Sequence, residues 1–242
     1  MQWSLNSDIG SFRDQNEDYA LTQQLGEGML AVVCDGMGGC LAGEVASEEA
    51  AEMMRSTCIE LLKQTDDIGE ALFRALQRAN ARVWHLSASE DEYMGMGTTL
   101  TAVWTEGNTA WFVSVGDSRA YVLTGKKLVQ VTEDQSFVWD LYIQGAITKD
   151  QMRSHPMNHL VNMAVGLKPE LGKQDICMLS REVSPGDLIL LCSDGLTDEI
   201  SEEEIASCII SEGSLDEKTE ALVNAANQAS GRDNITVLLM EI

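Results

Sequence analysis

One stretch of the chain combines an apolar run, an aspartate and a glycine-rich break: Leu30-Ala31-Val32-Val33-Cys34-Asp35-Gly36-Met37-Gly38-Gly39. The run has the composition and length of a buried strand. Asp35 then stands where the chain leaves the core, and Gly36, Gly38 and Gly39 let the backbone turn and approach a ligand closely. Alone, an Asp-Gly pair is an ordinary turn signal. The design recurs, however, in Leu188-Ile189-Leu190-Leu191-Cys192-Ser193-Asp194-Gly195. Val113-Ser114-Val115-Gly116-Asp117 ends a third strand in an aspartate, and Gly231-Arg232-Asp233 places a fourth just before Ile235-Thr236-Val237-Leu238-Leu239. Four aspartates at strand edges, each with glycine nearby, converge only if the chemistry there needs carboxylates.

The strands between these points are joined by short turns. Stretches 98–105, 110–115, 119–123 and 127–131 are separated by Glu106-Gly107-Asn108, Gly116-Asp117-Ser118 and Thr124-Gly125. Turns of this length predict an antiparallel meander, so a β-sandwich with helices packed outside it is expected over a parallel doubly wound sheet. Strands are also expected at 2–8 and 19–25. Apolar residues at helical spacing predict a helix over 43–64 and a second over about 68–88, capped by Asp66 or Asp67. Ser201-Glu202-Glu203-Glu204 reads as a capping box, which explains those acids as helix-terminus charges. A last amphipathic helix is expected at about 215–229. Residues 136–170 are the least regular and read as a surface flap of the kind that carries substrate contacts. With 242 residues, three prolines and no low-complexity linker, one domain over 1–242 is the better reading.

Sixteen basic against thirty-nine acidic residues give a net charge of -23. That argues against nucleic acid or an anionic membrane as partner, both of which need a cationic face. An anionic substrate would be repelled unless cations stand between it and the protein. The six cysteines show no CxxC spacing, and Cys34 and Cys192 read as small core hydrophobes. No apolar run of about eighteen residues occurs, and the N-terminus lacks a leader pattern, so no membrane insertion and a cytoplasmic location are expected.

Donor type constrains a metal. Asp35, Asp117, Asp194 and Asp233 offer only hard oxygen, with no histidine or cysteine at matching strand ends, which suits Mg2+ or Mn2+ and disfavours zinc. No D-x-[DN]-x-[DN]-G run points to an EF-hand. Carboxylates gathered by a rigid sheet suit a two-metal hydrolase, whose ions share a carboxylate, acidify a bridging water and clamp a phosphoryl oxygen. Upstream, Arg13-Asp14-Gln15-Asn16-Glu17-Asp18 can lie beside Asp35 in a hairpin, making Arg13 a candidate for gripping an anion and Glu17 and Asp18 candidates for holding metal or its waters.

Six motifs, in order and across nearly the whole chain, carry a resemblance: Arg13-x-x-Asn16-Glu17-Asp18; Asp35-Gly36-Met37-Gly38-Gly39 with Gly43-Glu44; Met96-Gly97-Thr98-Thr99; Val115-Gly116-Asp117-Ser118-Arg119; Ser193-Asp194-Gly195-Leu196; and Asp233-Asn234-Ile235-Thr236. The chain resembles the metal-dependent PP2C (PPM) serine/threonine phosphatases, in their bacterial branch. The resemblance implies an α+β fold, an αββα sandwich of two antiparallel sheets flanked by helices. It implies hydrolysis of phosphoserine and phosphothreonine proteins by direct attack of a metal-activated water, with two Mn2+ or Mg2+ ions per active site and a third in bacterial relatives. By position, Asp35 bridges both metals, the Gly36 carbonyl binds one, and Asp194 and Asp233 complete the other. Glu17 and Asp18 act nearby through waters, Asp117 with Asp194 holds the third ion, and Arg13 binds the substrate phosphate. A monomer opposing a serine/threonine kinase, of a secretion-system or cell-envelope pathway, is the expected setting.

Three departures stand out. Met37 and Cys40 occupy the two places where the family has a histidine, so the general acid is missing there, leaving a metal-bound water or a flap residue such as His155 or His159 for that task. The usual Thr-Glu-Asp-His-Ser is here Thr132-Glu133-Asp134-Gln135-Ser136, and the arginine usual before Ala-Leu-Gly is replaced around Met163-Ala164-Val165-Gly166. Two rival readings are a pseudophosphatase that binds a phosphoprotein without cleaving it, and a hydrolase of nucleotides or other small phosphate esters. The intact aspartates count against the first and the lack of a P-loop against the second.

Overall fold

A computed structural model describes residues 1–38 and 42–242 of the chain. Gly39 and Cys40, part of the glycine-rich break, therefore lie outside the described residues. From the N-terminus the chain forms β1 (Gln2–Asp8), β2 (Asp18–Leu25) and β3 (Gly28–Met37), then the long helices α1 (Ala42–Leu62) and α2 (Ile68–Ser89). A short β4 (Gly97–Thr98) leads into β5 (Leu100–Glu106), β6 (Thr109–Val115), β7 (Arg119–Thr124) and β8 (Lys127–Gln130). The flap region carries α3 (Phe137–Ile143) and α4 (Lys149–Arg153). The chain then continues through β9 (Cys177–Glu182), β10 (Leu188–Cys192), α5 (Asp194–Thr197), α6 (Glu202–Ile210), α7 (Leu215–Ala229) and β11 (Ile235–Glu241). The caps form as the sequence predicts: the Asp67 carboxylate accepts from the Glu70 N–H, and Ser201 and Glu204 close a reciprocal box.

Two antiparallel sheets result. One runs β1-β11-β10-β7-β8; the other runs β2-β3-β5-β6-β9, with β4 paired to β3. Strand alternation explains their stacking. In β3, Leu30, Val32 and Cys34 meet α1 and α2, while Met29, Ala31 and Val33 meet the facing sheet. In β10, Leu190 and Cys192 pack on α6 and α7, and Ile189 and Leu191 point between the sheets. Both runs are apolar without a break because both faces are covered, which in an antiparallel sheet requires a helical layer outside. The result is the αββα sandwich. Each fully buried Leu or Ile in these layers contributes about 1.5–3 kcal/mol, and a one-residue slip would exchange the two faces.

The expected meander does not form. β5 and β6 pair in one sheet, β7 and β8 in the other, and β6 pairs with β9 instead of β7. Gly116-Asp117-Ser118 is therefore a crossing between sheets rather than a hairpin turn. Gly116 makes it, with φ +102, where a Cβ would drive into the Thr99 side chain. The crossing carries Asp117 to the mouth between the two sheets. Strand β9 has no counterpart in the sequence reading; its residues Cys-Met-Leu-Ser-Arg-Glu alternate too weakly to announce a strand. Among the described residues no helix is long and apolar enough to cross a membrane.

Candidate metal centre

The Asp35 peptide is fixed from both sides. Its N–H donates to Thr99 Oγ1 at 2.9 Å, and its carbonyl accepts from the Thr99 N–H and the Thr98 hydroxyl, each at 2.8 Å. Thr99 Oγ1 also lies 2.7 Å from Ser118 Oγ, joining the end of β3 to the Asp117 crossing. On the other side Asp35 is directly paired with Asp18 of β2, and the Gly36 N–H donates to the Glu17 carbonyl at 3.1 Å. Gly36 serves close approach rather than turning: a Cβ there would run into the Gly43 carbonyl and stand 2.6 Å from the Glu17 carbonyl oxygen. Gly195 has the same use against the Asn234 carbonyl. Both Asp-Gly pairs thus let a neighbouring backbone pack against the aspartate.

From the second sheet come Asp194 and Asp233. Asp194 does not enter a turn; it opens α5, directly after β10. Ser193 beside it donates from Oγ to Asp18 Oδ2 at 2.8 Å and accepts from the Thr236 N–H at 3.0 Å, tying β10, β2 and β11 together. The Asp233 Oδ2 accepts from Arg13 Nη2 at 2.7 Å, and Arg13 Nη1 is 3.6 Å from Glu17. Asn234 anchors the loop that carries Arg13. Its Oδ1 accepts from the Glu17 N–H at 2.8 Å, and its Nδ2 donates to the Ile9 and Gln15 carbonyls at 2.9 Å each. Arg13, Glu17, Asp18, Asp35, Asp117, Asp194 and Asp233 thus meet at one end of the sandwich.

The charges there are hard to hold. Burial, then Asp18, Asp194 and Asp233, pushes the Asp35 carboxyl well above the usual range. Burial and Asp194 do the same to Asp117, and burial and Asp233 raise Asp194. Burial pushes Asp18 up to about 7. Carboxylates raised by burial and by one another need a counter-charge to ionise, and Arg13 is the cation among the sequence-selected residues. Oδ1 of Asp18 and Oδ1 of Asp194 are buried without a hydrogen-bond partner among the described residues, and buried oxygens of this kind call for a partner. Hard oxygen donors, orphaned acceptors and an excess of negative charge fit a divalent magnesium-like ion. Among the described residues no three His, Cys, Asp or Glu side chains form a ready-made cage.

Asp198 and Asn158 escaped the sequence reading. Asp198 lies four residues after Asp194, one helical turn on; burial and Asp194 push its carboxyl up to about 8. Its Oδ2 accepts from Asn158 of the flap. Arg119, buried behind Asp117, is held by Asp134 at 2.6 Å. The spacing of Asp194 and Asp198 was a signal; nothing local marks Asn158. The flap histidines serve locally. His155 Nδ1 accepts from the Met157 N–H at 3.1 Å and its ring lies 6.0 Å from Phe137, while His159 is exposed. Met37 is partly buried at the end of β3, and Cys40 lies outside the described residues.

The family model for protein phosphatase 2C matches residues 13–240. The chain belongs to the protein phosphatase 2C family. It is 35% identical to "Serine/threonine phosphatase stp" of Listeria monocytogenes serovar 1/2a, over 100% of this chain and 96% of that protein. Its fold matches the crystal structure of serine/threonine phosphatase Stp1 from Staphylococcus aureus with a TM-score of 0.92 at 30% identity, covering 100% of this chain and 94% of that one. It also matches the catalytic domain of serine/threonine protein phosphatase PstP in complex with two manganese ions, with a TM-score of 0.86 at 33% identity, covering 99% and 97% of the two chains. The two-sheet scaffold described above is the one that these protein phosphatase 2C structures share.

Proposed function

We propose that this protein phosphatase 2C member is a metal-dependent protein serine/threonine phosphatase that hydrolyses phosphoserine and phosphothreonine by direct attack of water and opposes a bacterial serine/threonine kinase. Residues 1–242 act as one catalytic domain, with 136–170 as its flap. The observation that carries the reading is the meeting of Asp35, Asp194 and Asp233 from both sheets, with the buried Oδ1 atoms of Asp18 and Asp194 lacking partners among the described residues. Asp35 and the Gly36 carbonyl, with Asp194 and Asp233, would hold two Mn2+ or Mg2+ ions, and Asp117 with Asp194 a third; Glu17 and Asp18 would support them through waters. Bound there, the ions would acidify a water and offset phosphoryl charge.

The chain's own groups fit the remaining tasks. Arg13 is exposed at the rim, and a guanidinium already held by Asp233 retains free N–H donors for a phosphate. Thr98 and Thr99 keep the Asp35 backbone from shifting as charge changes nearby. A cysteinyl-phosphate route finds no support among the described residues. Burial pushes the Cys34 thiol well up and Cys58 and Cys192 up to about 12, so none is a thiolate at neutral pH. A panel of phosphothreonine peptide, phosphotyrosine peptide and nucleotide, assayed with Mn2+ and with EDTA, tests the reading. Metal-dependent turnover of the phosphothreonine peptide first is expected; preference for the nucleotide would favour a small-phosphate hydrolase, and no turnover a binding module.

A further inference from the structure

Gln135 lies between the Asp117 crossing, the flap and the loop before β9, and it hydrogen-bonds to all three. Its Oε1 accepts from the Gly116 N–H at 2.8 Å, and its own N–H donates to the Gly116 carbonyl at 3.0 Å. One residue therefore holds both backbone polar groups of Gly116. Its Nε2 donates to the Asp175 carbonyl at 2.8 Å, and its carbonyl accepts from the Asn162 N–H at 2.7 Å. The next residue, Ser136, bridges Val161 in antiparallel fashion, so the returning limb of the flap is anchored at the same point.

The clamp matters because Gly116 carries Asp117 as its immediate neighbour. That glycine has φ +102, and a Cβ there would stand 2.7 Å from the Thr99 side chain, so it must be glycine, which has no intrinsic preference to keep this conformation in place. Asp117 itself is 6% exposed. Burial and the charges of Asp194, Asp134 and Asp198, opposed by Arg119, act on its carboxyl. The aim of the Asp117 side chain is thus inherited from the Gly116 backbone.

We propose that Gln135 is a positioning residue, which sets Asp117 by clamping Gly116 and ties that placement to the flap. The proposal rests on the reading of Asp117 as a metal-holding carboxylate. An amide suits the post because it accepts from Gly116 and donates to Asp175 at once, and does so at every pH. Neutral histidine also offers one acceptor and one donor; protonated histidine offers donors only.

The test compares wild type, Gln135→Leu and Gln135→His. Mn2+ bound per chain is read by electron paramagnetic resonance of the free ion, and kcat and KM are measured on a phosphothreonine peptide between about pH 5.5 and 8. In Gln135→Leu the weakest Mn2+ site should bind about tenfold less tightly or be lost, with kcat down about tenfold and KM within about twofold. Gln135→His should match wild type near pH 8 and fall to about a tenth of it near pH 5.5, following the loss of neutral imidazole around its ordinary pKa of about 6.5. Taking the ratio to wild type at each pH removes titrations the two proteins share. A flat ratio, or unchanged Mn2+ binding in Gln135→Leu, overturns the proposal. Should Gln135→Leu show no cooperative melt, the histidine variant, checked for native circular dichroism at both pH values, decides alone. A wild-type protein that binds no Mn2+ at all overturns the metal reading itself, and this proposal with it.

Discussion

Asp18 and Asp35 are directly paired across β2 and β3, so two carboxylates face each other on adjacent strands at the mouth of the sandwich. Like charges in register oppose sheet pairing. Burial first, and then Asp18, holds the Asp35 carboxyl well above its ordinary range. The hairpin therefore carries a local penalty that a bound cation would remove.

That penalty makes stability depend on pH. Asp18 is raised from 3.8 to about 7 and Asp198 from 3.8 to about 8. Between those values the folded state holds more protons than the unfolded one, so stability falls as pH rises through the window from about 4 to about 8. In EDTA the melting temperature should drop over that range, on the order of 5 °C or more. Saturating Mn2+ should flatten or reverse the slope, because bound metal requires the deprotonated carboxylates. A flat or rising melting curve in EDTA would contradict this reading of the site.

Arg13 separates binding from stability. Its ion pair with Asp233 is 2.7 Å long but the Arg13 side chain is 45% exposed, and pairs of that kind contribute about 0–1 kcal/mol to folding. Arg13→Ala should leave the melting temperature within about 2 °C. Loss of a charge-assisted contact to the phosphate should raise KM about 10- to 100-fold with kcat little changed. Steady-state kinetics on a phosphopeptide check this, and an unchanged KM removes Arg13 from the binding role.

Gly36 is held to glycine by packing. Its missing Cβ makes room for the Gly43 and Glu17 carbonyls, so Gly36→Ala must part β3 from the start of α1. Overpacking of this type costs about 1–3 kcal/mol, which in a chain of this size lowers the melting temperature by about 2–12 °C. Calorimetry of the variant with and without Mn2+ should show a larger deficit with the ion, because the Gly36 carbonyl is displaced as well.

Behind Asp117, Arg119 and Asp134 form a pair whose side chains are 13% and 2% exposed. Asp134→Ala leaves a buried guanidinium without its carboxylate and should destabilise by about 3–5 kcal/mol. Replacing both partners, as Arg119→Met with Asp134→Leu, should recover most of that loss. A double variant as unstable as the single one would show that the pair does more than neutralise itself. Urea midpoints at equal m-values make the comparison.

Much of this was readable in the sequence because the layers leave marks. Leu30 to Cys34 and Leu188 to Cys192 are unbroken apolar runs only because a helix layer covers one face and a second sheet the other. The aspartates at their ends were visible for the same reason, since a charge closing such a run stands at the edge of the core. Gly116-Asp117-Ser118 misled because a hairpin turn and a sheet-to-sheet crossing share the same local chemistry, and only long-range pairing distinguishes them. Asp194-Gly195 opens a helix although Asp35-Gly36 continues a strand, and the shared Asp-Gly pair does not distinguish the two. Asp198 was missed, although its one-turn spacing after Asp194 was a signal. Gln135 stood out as a departure from the family pattern, but its contacts did not, and Asn158 carried no mark at all, because their partners Gly116, Asp175 and Asp198 are remote in sequence.

Asp194→Asn tests most directly whether carboxylates from both sheets seat divalent ions for hydrolysis. The substitution keeps shape and removes one negative charge from the meeting point of Asp35, Asp117 and Asp233. With a phosphothreonine peptide, wild-type activity should rise with added Mn2+ and vanish in EDTA. Asp194→Asn should fall at least about a thousandfold at saturating Mn2+, the several kcal/mol that metal-assisted hydrolysis supplies, while retaining the wild-type circular dichroism. Full turnover by a folded Asp194→Asn, or wild-type turnover undiminished in EDTA, would contradict the account.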